Sequence, residues 1–227
     1  MENKVILKIR NLNKKFNTSV VLNDITFDIF KGETLGIVGP SGCGKSTFGK
    51  ILLLLLSPES GEIIYEDKNI FNYNKSDILN YRKDVQMVLQ DPYLSLNPKK
   101  TIGWHLEEPL SVLDYPKEKR MEKILSMIEL VGLSKDYLDK YPKQLSGGQK
   151  QRVLILASLL IDPKIIVLDE SVSALDISVQ AQILNLLVDL QKKLNLTYIF
   201  ISHDLNVVKY MCDRIVSFEN GSIKSIY

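Results

Sequence analysis

Cysteine is scarce. Cys43 and Cys212 are the only two in 227 residues, and their spacing matches neither a disulfide framework nor a zinc site. Cys43 lies in a glycine-rich stretch where a disulfide would obstruct a ligand, so a reducing compartment is expected. Long apolar runs are also missing. The longest, Ile51 to Leu56, falls far short of the roughly 20 residues needed to span a bilayer. The opening MENKVILKIR lacks the apolar core of a secretory signal. Any membrane association must then come through a partner. Excess charge of one sign is absent as well. The 29 basic and 27 acidic residues leave +2, which supplies no argument for nucleic acid. Five of the first fifteen residues are Lys or Arg, and they read as a solvated face. There is no internal repeat, low-complexity tail or heptad run. What remains, 45% hydrophobic and 25% charged, is ordinary globular composition, enough for one large domain or a domain with a subdomain.

Against that plain background one stretch stands out, GPSGCGKST at residues 39–47. It fits G-x-x-x-x-G-K-[ST], with Gly39 and Gly44 as the fixed glycines and Pro40, Ser41, Gly42 and Cys43 between them. Glycine permits backbone conformations in which successive N–H groups turn inward around an anion. Lys45 would reach the β- and γ-phosphates, the Ser46 hydroxyl would ligate Mg²⁺, and Thr47 closes the ATP-binding stretch. ETLGIV (33–38) reads as a buried strand entering the loop. KSTFGKILLLLL (45–56) reads as a helix leaving it with its positive end toward the phosphates. The pattern predicts a nucleoside triphosphate site.

Taken in order, residues 5–10 and 24–30 are expected strands, and Phe16 stands alone in a polar stretch. It is equally a small-core anchor or a plate for a purine base. A hairpin is expected over 62–70, a helix capped by Ser76-Asp77 ending near Lys83, and a strand from Val85 to Leu89 leading into Gln90. From there to about residue 143, helical patterns at 101–110 and 117–131 are separated by Pro98, Pro109, Pro116 and Gly132, which predicts an inserted helical subdomain. LSGGQKQRV (145–153) opens an apolar helix to about Ile161. Strands follow at 165–168 and 197–201, with an amphipathic helix over 176–194 between them. The chain closes with a short helix, a strand near 215–218, a turn at Asn220-Gly221 and a last strand.

Gln90, Asp169-Glu170 and His203 fall just past the ends of predicted parallel strands, the edge where open α/β sheets place ligands. Asp169 has the form of a second Mg²⁺ anchor, and Glu170 can accept a proton from an attacking water. Gln90 can bridge metal and water, and His203 can hold a γ-phosphate. Each has a plain alternative as a turn cap or surface residue. Together with the loop they form a constellation.

In these motifs the sequence resembles the nucleotide-binding domain of ATP-binding cassette (ABC) transporters over nearly its whole length. The motifs stand in that family's order: aromatic loop (Phe16), Walker A (39–47), Q-loop (Gln90), signature LSGGQ (145–149), Walker B with its glutamate (165–170), D-loop (SALD, 173–176) and H-loop (His203). Two departures occur, Ser171-Val172 where the family usually has Pro-Thr, and Ser158 where it often has Arg. The resemblance implies an α/β P-loop NTPase (RecA-like) core with a mostly parallel sheet and an N-terminal antiparallel β subdomain, formed by residues 1–92 and 155–227. Residues 93–154 would be the helical subdomain carrying the signature. It implies ATP and Mg²⁺ as cofactors and Phe16 stacked on adenine. Catalysis would fall to Glu170, His203, Gln90 and Lys45, and metal binding to Ser46, Gln90 and Asp169. A second ATPase subunit, identical or paralogous, would pair head to tail, so that Ser146, Gly147, Gly148, Gln149 and Asp176 serve the partner's ATP. The stretch 86–110, with its Gln-Asp-Pro and Ser-Leu-Asn-Pro, is most like the ATPases of oligopeptide, dipeptide and nickel importers, which commonly continue past the position matching Tyr227. Such ATPases are peripheral on the cytoplasmic face of the membrane. Their partners are transmembrane permease subunits and, indirectly, an extracytoplasmic solute-binding protein, with no nucleic acid. Tyr93, Leu94 and Leu96 are expected to line a groove for a permease helix. ABC-type ATPases of DNA maintenance or regulatory modules are the alternative. Those carry coiled coils, zinc-binding insertions or two cassettes, and none is present in this sequence.

Overall fold

The computed structural model describes residues 4–88, 91–170 and 175–227. Strands β1 (Val5–Phe16) and β2 (Ser19–Phe30) form a long hairpin turning at Asn17-Thr18. β1 also pairs with β4 (Ser60–Tyr65), which turns into the two-residue β5 (Lys68–Asn69), giving an antiparallel sheet ordered β2-β1-β4-β5. Both hairpin strands outrun the expected 5–10 and 24–30. Their outer halves carry polar residues on an exposed face, and register shifts break the alternation that a sequence pattern relies on.

β3 (Thr34–Val38) leads through the phosphate loop into α1 (Lys45–Leu52). α1 stops earlier than expected because Leu54 turns left-handed at φ 55. The Leu54 N–H then returns to the Ile51 carbonyl and the Leu55 N–H to that of Lys50, closing the helix end. α2 (Lys75–Asp84) is capped by Asn74, whose side chain accepts from the Ser76 and Asp77 N–H groups, rather than by Ser76 itself.

After β6 (Val85–Val88) come α3 (Pro92–Ser95), α4 (Ile102–Val112) and α5 (Lys117–Ile128). Pro109 does not end α4. It removes one N–H from the ladder, yet buried Leu106 and Leu110 anchor the helix on both sides of it, and that packing outweighs the missing bond. Leu96 is also core, at 4% exposure, while Leu94 is 86% exposed. The three expected groove residues thus separate.

α6 (Gly147–Leu159), β7 (Ile165–Asp169), α7 (Ile177–Leu194), β8 (Thr197–Ile201), α8 (Leu205–Met211), β9 (Arg214–Glu219) and β10 (Ser222–Ile226) complete a sheet ordered β10-β9-β3-β8-β7-β6. The five strands from β9 to β6 are parallel, and β10 runs antiparallel at the edge. Alternation divides its side chains between two cores. Ile199 and Ile201 of β8 join α1 and the antiparallel sheet, whereas Tyr198 and Phe200 join α6, α7 and the helical segment. Ser158, in the place of the family's arginine, is buried in α6 and donates to the Ile155 carbonyl at 2.7 Å. Among the described residues no helix is long and apolar enough to cross a membrane.

Candidate active site

The phosphate loop is built from backbone that only glycine can supply. Gly44, the residue before α1, has φ 105, and a Cβ there would lie 2.5 Å from the Val21 carbonyl oxygen. α1 has neither a side-chain cap nor an acid in its first turn, so its positive end is left for an external anion. Lys45 is 6% exposed, and its Nζ donates to the carbonyls of Gly39 (2.8 Å) and Pro40 (2.9 Å). These bonds hold the ammonium inside the loop before any ligand arrives. The Cys43 Sγ is 3.9 Å from the same Nζ, in a buried position where a disulfide would indeed intrude. Ser41 and Gly42 form the exposed tip, and Thr47 is half-buried.

Two further strand ends meet this loop. At the end of β7, Asp169 Oδ1 accepts a hydrogen bond from Ser46 Oγ at 3.4 Å, joining the first turn of α1 to the strand next to edge strand β6. Burial raises the Asp169 pKa, and the neighbouring Glu170 charge adds to this. The Ser46 hydrogen bond and the Lys50 and Lys45 charges partly offset the rise. A half-buried carboxylate beside a hydroxyl is an unbalanced negative site, and a hard cation would balance it. Glu170 adopts a left-handed φ of 46 while its N–H donates to Ile201 O at 2.9 Å. That turn puts the Glu170 carboxylate at the edge rather than in the strand's pleat. There its Oε1 lies 3.1 Å from Nδ1 of exposed His203, which follows β8. Lys45, Ser46, Asp169, Glu170 and His203 are therefore gathered at one end of adjacent strands β3, β8 and β7.

Phe16 ends β1 at 45% exposure, which removes the core-anchor reading. Lys14 lies over its ring at 5.1 Å and is itself held by Glu59 at 3.0 Å. Lys14 is thus a positioned residue, not one more solvated charge, and Glu59 lies too far along the chain to signal it. Gln90 lies outside the described residues, as do residues 173–174 of the SALD stretch. Ser146 caps α6. Its Oγ accepts from the Gln149 N–H (3.3 Å), and Gln149 Oε1 accepts from the Ser146 N–H (2.9 Å). Tyr137 accepts from Gln149 Nε2 at 2.9 Å, a support that no motif announces. Gly147 and Gly148 follow, and Asp176 sits at the start of α7 with its carbonyl accepting from the Gln180 N–H. Among the described residues no hydrogen bond or ion pair joins 146–149 or Asp176 to the phosphate loop.

A family model described as ABC transporter matches residues 22–173. The chain belongs to the ABC transporter family. This cassette is 43% identical over 217 residues to the oligopeptide transport ATP-binding protein OppF of Bacillus subtilis, covering 92% of this chain and 71% of that protein. It is 45% identical to the dipeptide transport ATP-binding protein DppF of Haemophilus influenzae, covering 91% and 65% respectively. The cassette thus spans about two thirds of the length of these relatives. Among solved structures it is similar to the dimeric, post-hydrolysis form of the ATP-binding cassette MJ0796 bound to ADP and Pi. The TM-score is 0.84 at 29% identity, covering 98% of both chains. The fold is the α/β P-loop NTPase fold, and the chain is an ATPase domain of the ATP-binding cassette type.

Proposed function

We propose that this cassette is the ATP-hydrolysing subunit of a peptide importer, lying on the cytoplasmic face of the membrane against transmembrane permease subunits. The observation that carries the proposal is the convergence of Lys45, Ser46, Asp169, Glu170 and His203 at one sheet edge, in a chain related to oligopeptide and dipeptide transport ATPases. Those relatives favour peptide over chelated nickel. An extracytoplasmic solute-binding protein would deliver the peptide.

Within this reading the phosphate loop from Gly39 to Thr47 holds the triphosphate, Lys45 neutralises its terminal phosphates, and Phe16 stacks on the adenine. Mg²⁺ fits the donor set, because Ser46 Oγ and Asp169 Oδ1 are hard oxygen ligands on adjacent elements. Among the described residues no cluster of three or more His, Cys, Asp or Glu surrounds them, so phosphate and water would supply the remaining ligands, as Mg²⁺ prefers. Gln90 would complete that shell. When bound, the metal neutralises charge developing on the transferred phosphoryl group. Glu170 takes the proton from the attacking water, and His203, already against Glu170, orients it and contacts the γ-phosphate.

The signature residues Ser146, Gly147, Gly148 and Gln149, with Asp176, lie apart from the chain's own loop and act on a second copy or a paralogue paired head to tail. That the similar MJ0796 cassette is dimeric supports pairing as such. The division into a core of residues 1–92 and 155–227 and a helical subdomain of 93–154 belongs to the same reading. Between these parts lies a groove of about 440 Å³ lined mainly by apolar groups, including Met87, Leu96, Pro109, Val112 and Leu154. It is assigned to the permease helix, with Leu96 as floor and Tyr93 and Leu94 outside it. The test is peptide-dependent uptake by proteoliposomes containing the cassette, its permease and its pairing ATPase. ATP hydrolysis that is stimulated by solute-loaded binding protein is expected. Hydrolysis that ignores the permease would overturn the transport role.

A further inference from the structure

A cavity of about 480 Å³ opens at the end of the molecule opposite the phosphate loop. Two of its lining residues fix that placement. Lys31 precedes β3 and Lys164 precedes β7, whereas the phosphate loop and Asp169 stand at the far ends of those strands. Each strand has 5 residues, so roughly 17 Å of backbone separates the two sites. The floor is apolar. Ile6 lies on the face of β1 turned away from buried Leu7 and Ile9, and Ile64, opposite Lys8 in the register, continues that face. The walls are basic. Lys4, Lys8, Lys31 and Lys164 stand against Glu66 and Asp67, a surplus of two positive charges. Lys164 is already neutralised, since Glu66 and Asp84 each hold it at 2.9 Å. Asp67 reaches Lys8 only at 4.0 Å with its side chain 97% exposed, a pairing that contributes little. Among the described residues Lys4 and Lys31 have no carboxylate partner. The Lys31 N–H donates to the Lys4 carbonyl at 2.8 Å, which holds these two backbones side by side.

We infer that this cavity is a second anion site, taking a small phosphate monoester with an apolar or aromatic body. The phosphate meets the ammonium groups of Lys4, Lys8 and Lys31, compact charges on flexible stems that need no planar partner. The body lies over Val5, Ile6 and Ile64, where its apolar surface leaves water. A phosphate dianion matches the surplus of two charges, whereas a single carboxylate would leave one over. The volume falls within the roughly 300–1,000 Å³ of ordinary small-molecule sites, more than inorganic phosphate alone would fill. Such a ligand joins two parts of the molecule. Lys4, Lys8 and Ile64 belong to the antiparallel sheet and its approach, and Lys31 is the link from that sheet into β3. The ligand stays clear of the nucleotide, so its first effect is on stability and not on hydrolysis.

The probe is naphthyl phosphate, titrated calorimetrically into the full chain at about pH 8, where a phosphate monoester is doubly charged. The phosphate loop is filled beforehand with Mg²⁺ and a non-hydrolysable ATP analogue. One further binding event is expected, together with a raised melting temperature. Naphthol, which lacks the charge, and inorganic phosphate, which lacks the body, should each bind about tenfold more weakly or worse. Lys4→Gln with Lys31→Gln should weaken the probe by about tenfold or more, the loss of one charged hydrogen bond, and leave analogue binding in the phosphate loop unchanged. Lys4→Arg with Lys31→Arg keeps both charges and should keep most of the affinity. Both lysines are exposed, so neither pair of substitutions threatens the fold. Binding that disappears once the phosphate loop is filled would show that the probe uses the nucleotide site alone, and the second site would fall. Undiminished binding to the glutamine pair, or no binding to wild type at millimolar probe, would overturn it equally.

Discussion

Two glycine-containing turns open helices in this protein, and they are made rigid by different means. The phosphate loop is walled by backbone. Gly44 is pressed against the Val21 carbonyl, and a Cβ on Gly39 would come within 2.3 Å of the Phe218 carbonyl oxygen. Lys45 is tied to the loop's own carbonyls. The signature turn has no left-handed residue. Its cap is a side-chain exchange between Ser146 and Gln149, and its glycines are required by neighbouring side chains, with Val179 Cγ1 only 2.5 Å from where a Cβ on Gly148 would sit. Those neighbours are Tyr93 of α3, Leu175 just before α7 and Val179 of α7, all outside α6. A site that must hold its ligand alone is cut into the sheet. A site that must approach a ligand on another copy is carried on a helix end whose position side chains can adjust.

The widest contrast should appear in turnover. Glu170→Gln is expected to keep ATP affinity and lose roughly 10²–10⁴-fold in hydrolysis, the usual worth of a general base. It should also accumulate Mg-ATP-bound dimers on light scattering, because ligand binding drives association that hydrolysis no longer reverses. Near-normal turnover in this variant would remove Glu170 from the mechanism.

Next comes ATP binding by the unpaired chain. Lys45→Ala should weaken it by about 10–100-fold, the equivalent of one hydrogen bond to a charged group. Ser146→Arg should leave it intact while abolishing dimers. Equal effects of both substitutions on monomer affinity would break the division between the two turns.

Smaller still is the stability difference. Gly44→Ala meets backbone and must keep a left-handed φ, so it should cost more than the about 1–3 kcal/mol typical of overpacking. Gly148→Ala pushes only on a valine side chain, which α7 can relieve, and should fall at or below that range. Urea unfolding of both variants orders them, and a costlier Gly148→Ala would show that the signature turn is the stiffer one.

The smallest effect concerns pH. Burial raises the Asp169 pKa, so the charged form is disfavoured in the free protein. Metal binding needs that charge. Mg²⁺-dependent tightening of nucleotide binding should therefore fade, as pH drops, at a higher pH than an ordinary aspartate would set. Asp169→Asn should by the same sign stabilise the free protein near neutral pH, a gain that vanishes once acid protonates the wild-type residue in both folded and unfolded chains. Melting curves of the two forms across pH report it, and a destabilised Asp169→Asn at neutral pH would contradict the sign.

Most of the architecture was legible because its strands are buried on both faces. Residues 34–38, 165–168 and 197–201 are short apolar runs bounded by turn residues, and a run of that form has few alternatives. Boundaries failed where local signals compete with packing. Pro109 reads as a stop, but Leu106 and Leu110 carry α4 through it. Leu54 looks like one more helical leucine, but the chain needs a reversal there. Leu96 resembles its neighbour Leu94 in sequence and differs from it only through the tertiary fold. In the candidate site, Lys45, Ser46, Asp169, Glu170 and His203 were found because each sits at a strand end or in the loop. Tyr137 and Lys14 were not, since each is tied to a residue distant in sequence, Gln149 and Glu59, and leaves no periodicity behind.

The strand order also has a consequence for how the chain is made. The strand carrying the phosphate loop lies between β8 and β9, so both of its hydrogen-bonding partners come from residues 197–219. The antiparallel sheet needs nothing beyond residue 69. During synthesis that sheet can close early, while Thr34–Val38, five buried residues in sequence, waits for more than 150 further residues with both edges bare. Such late, long-range pairing is slow and prone to aggregation. A nascent chain stalled before β8 would therefore show a folded N-terminal hairpin and an unprotected nucleotide loop, and would be a natural substrate for chaperones that bind extended apolar segments.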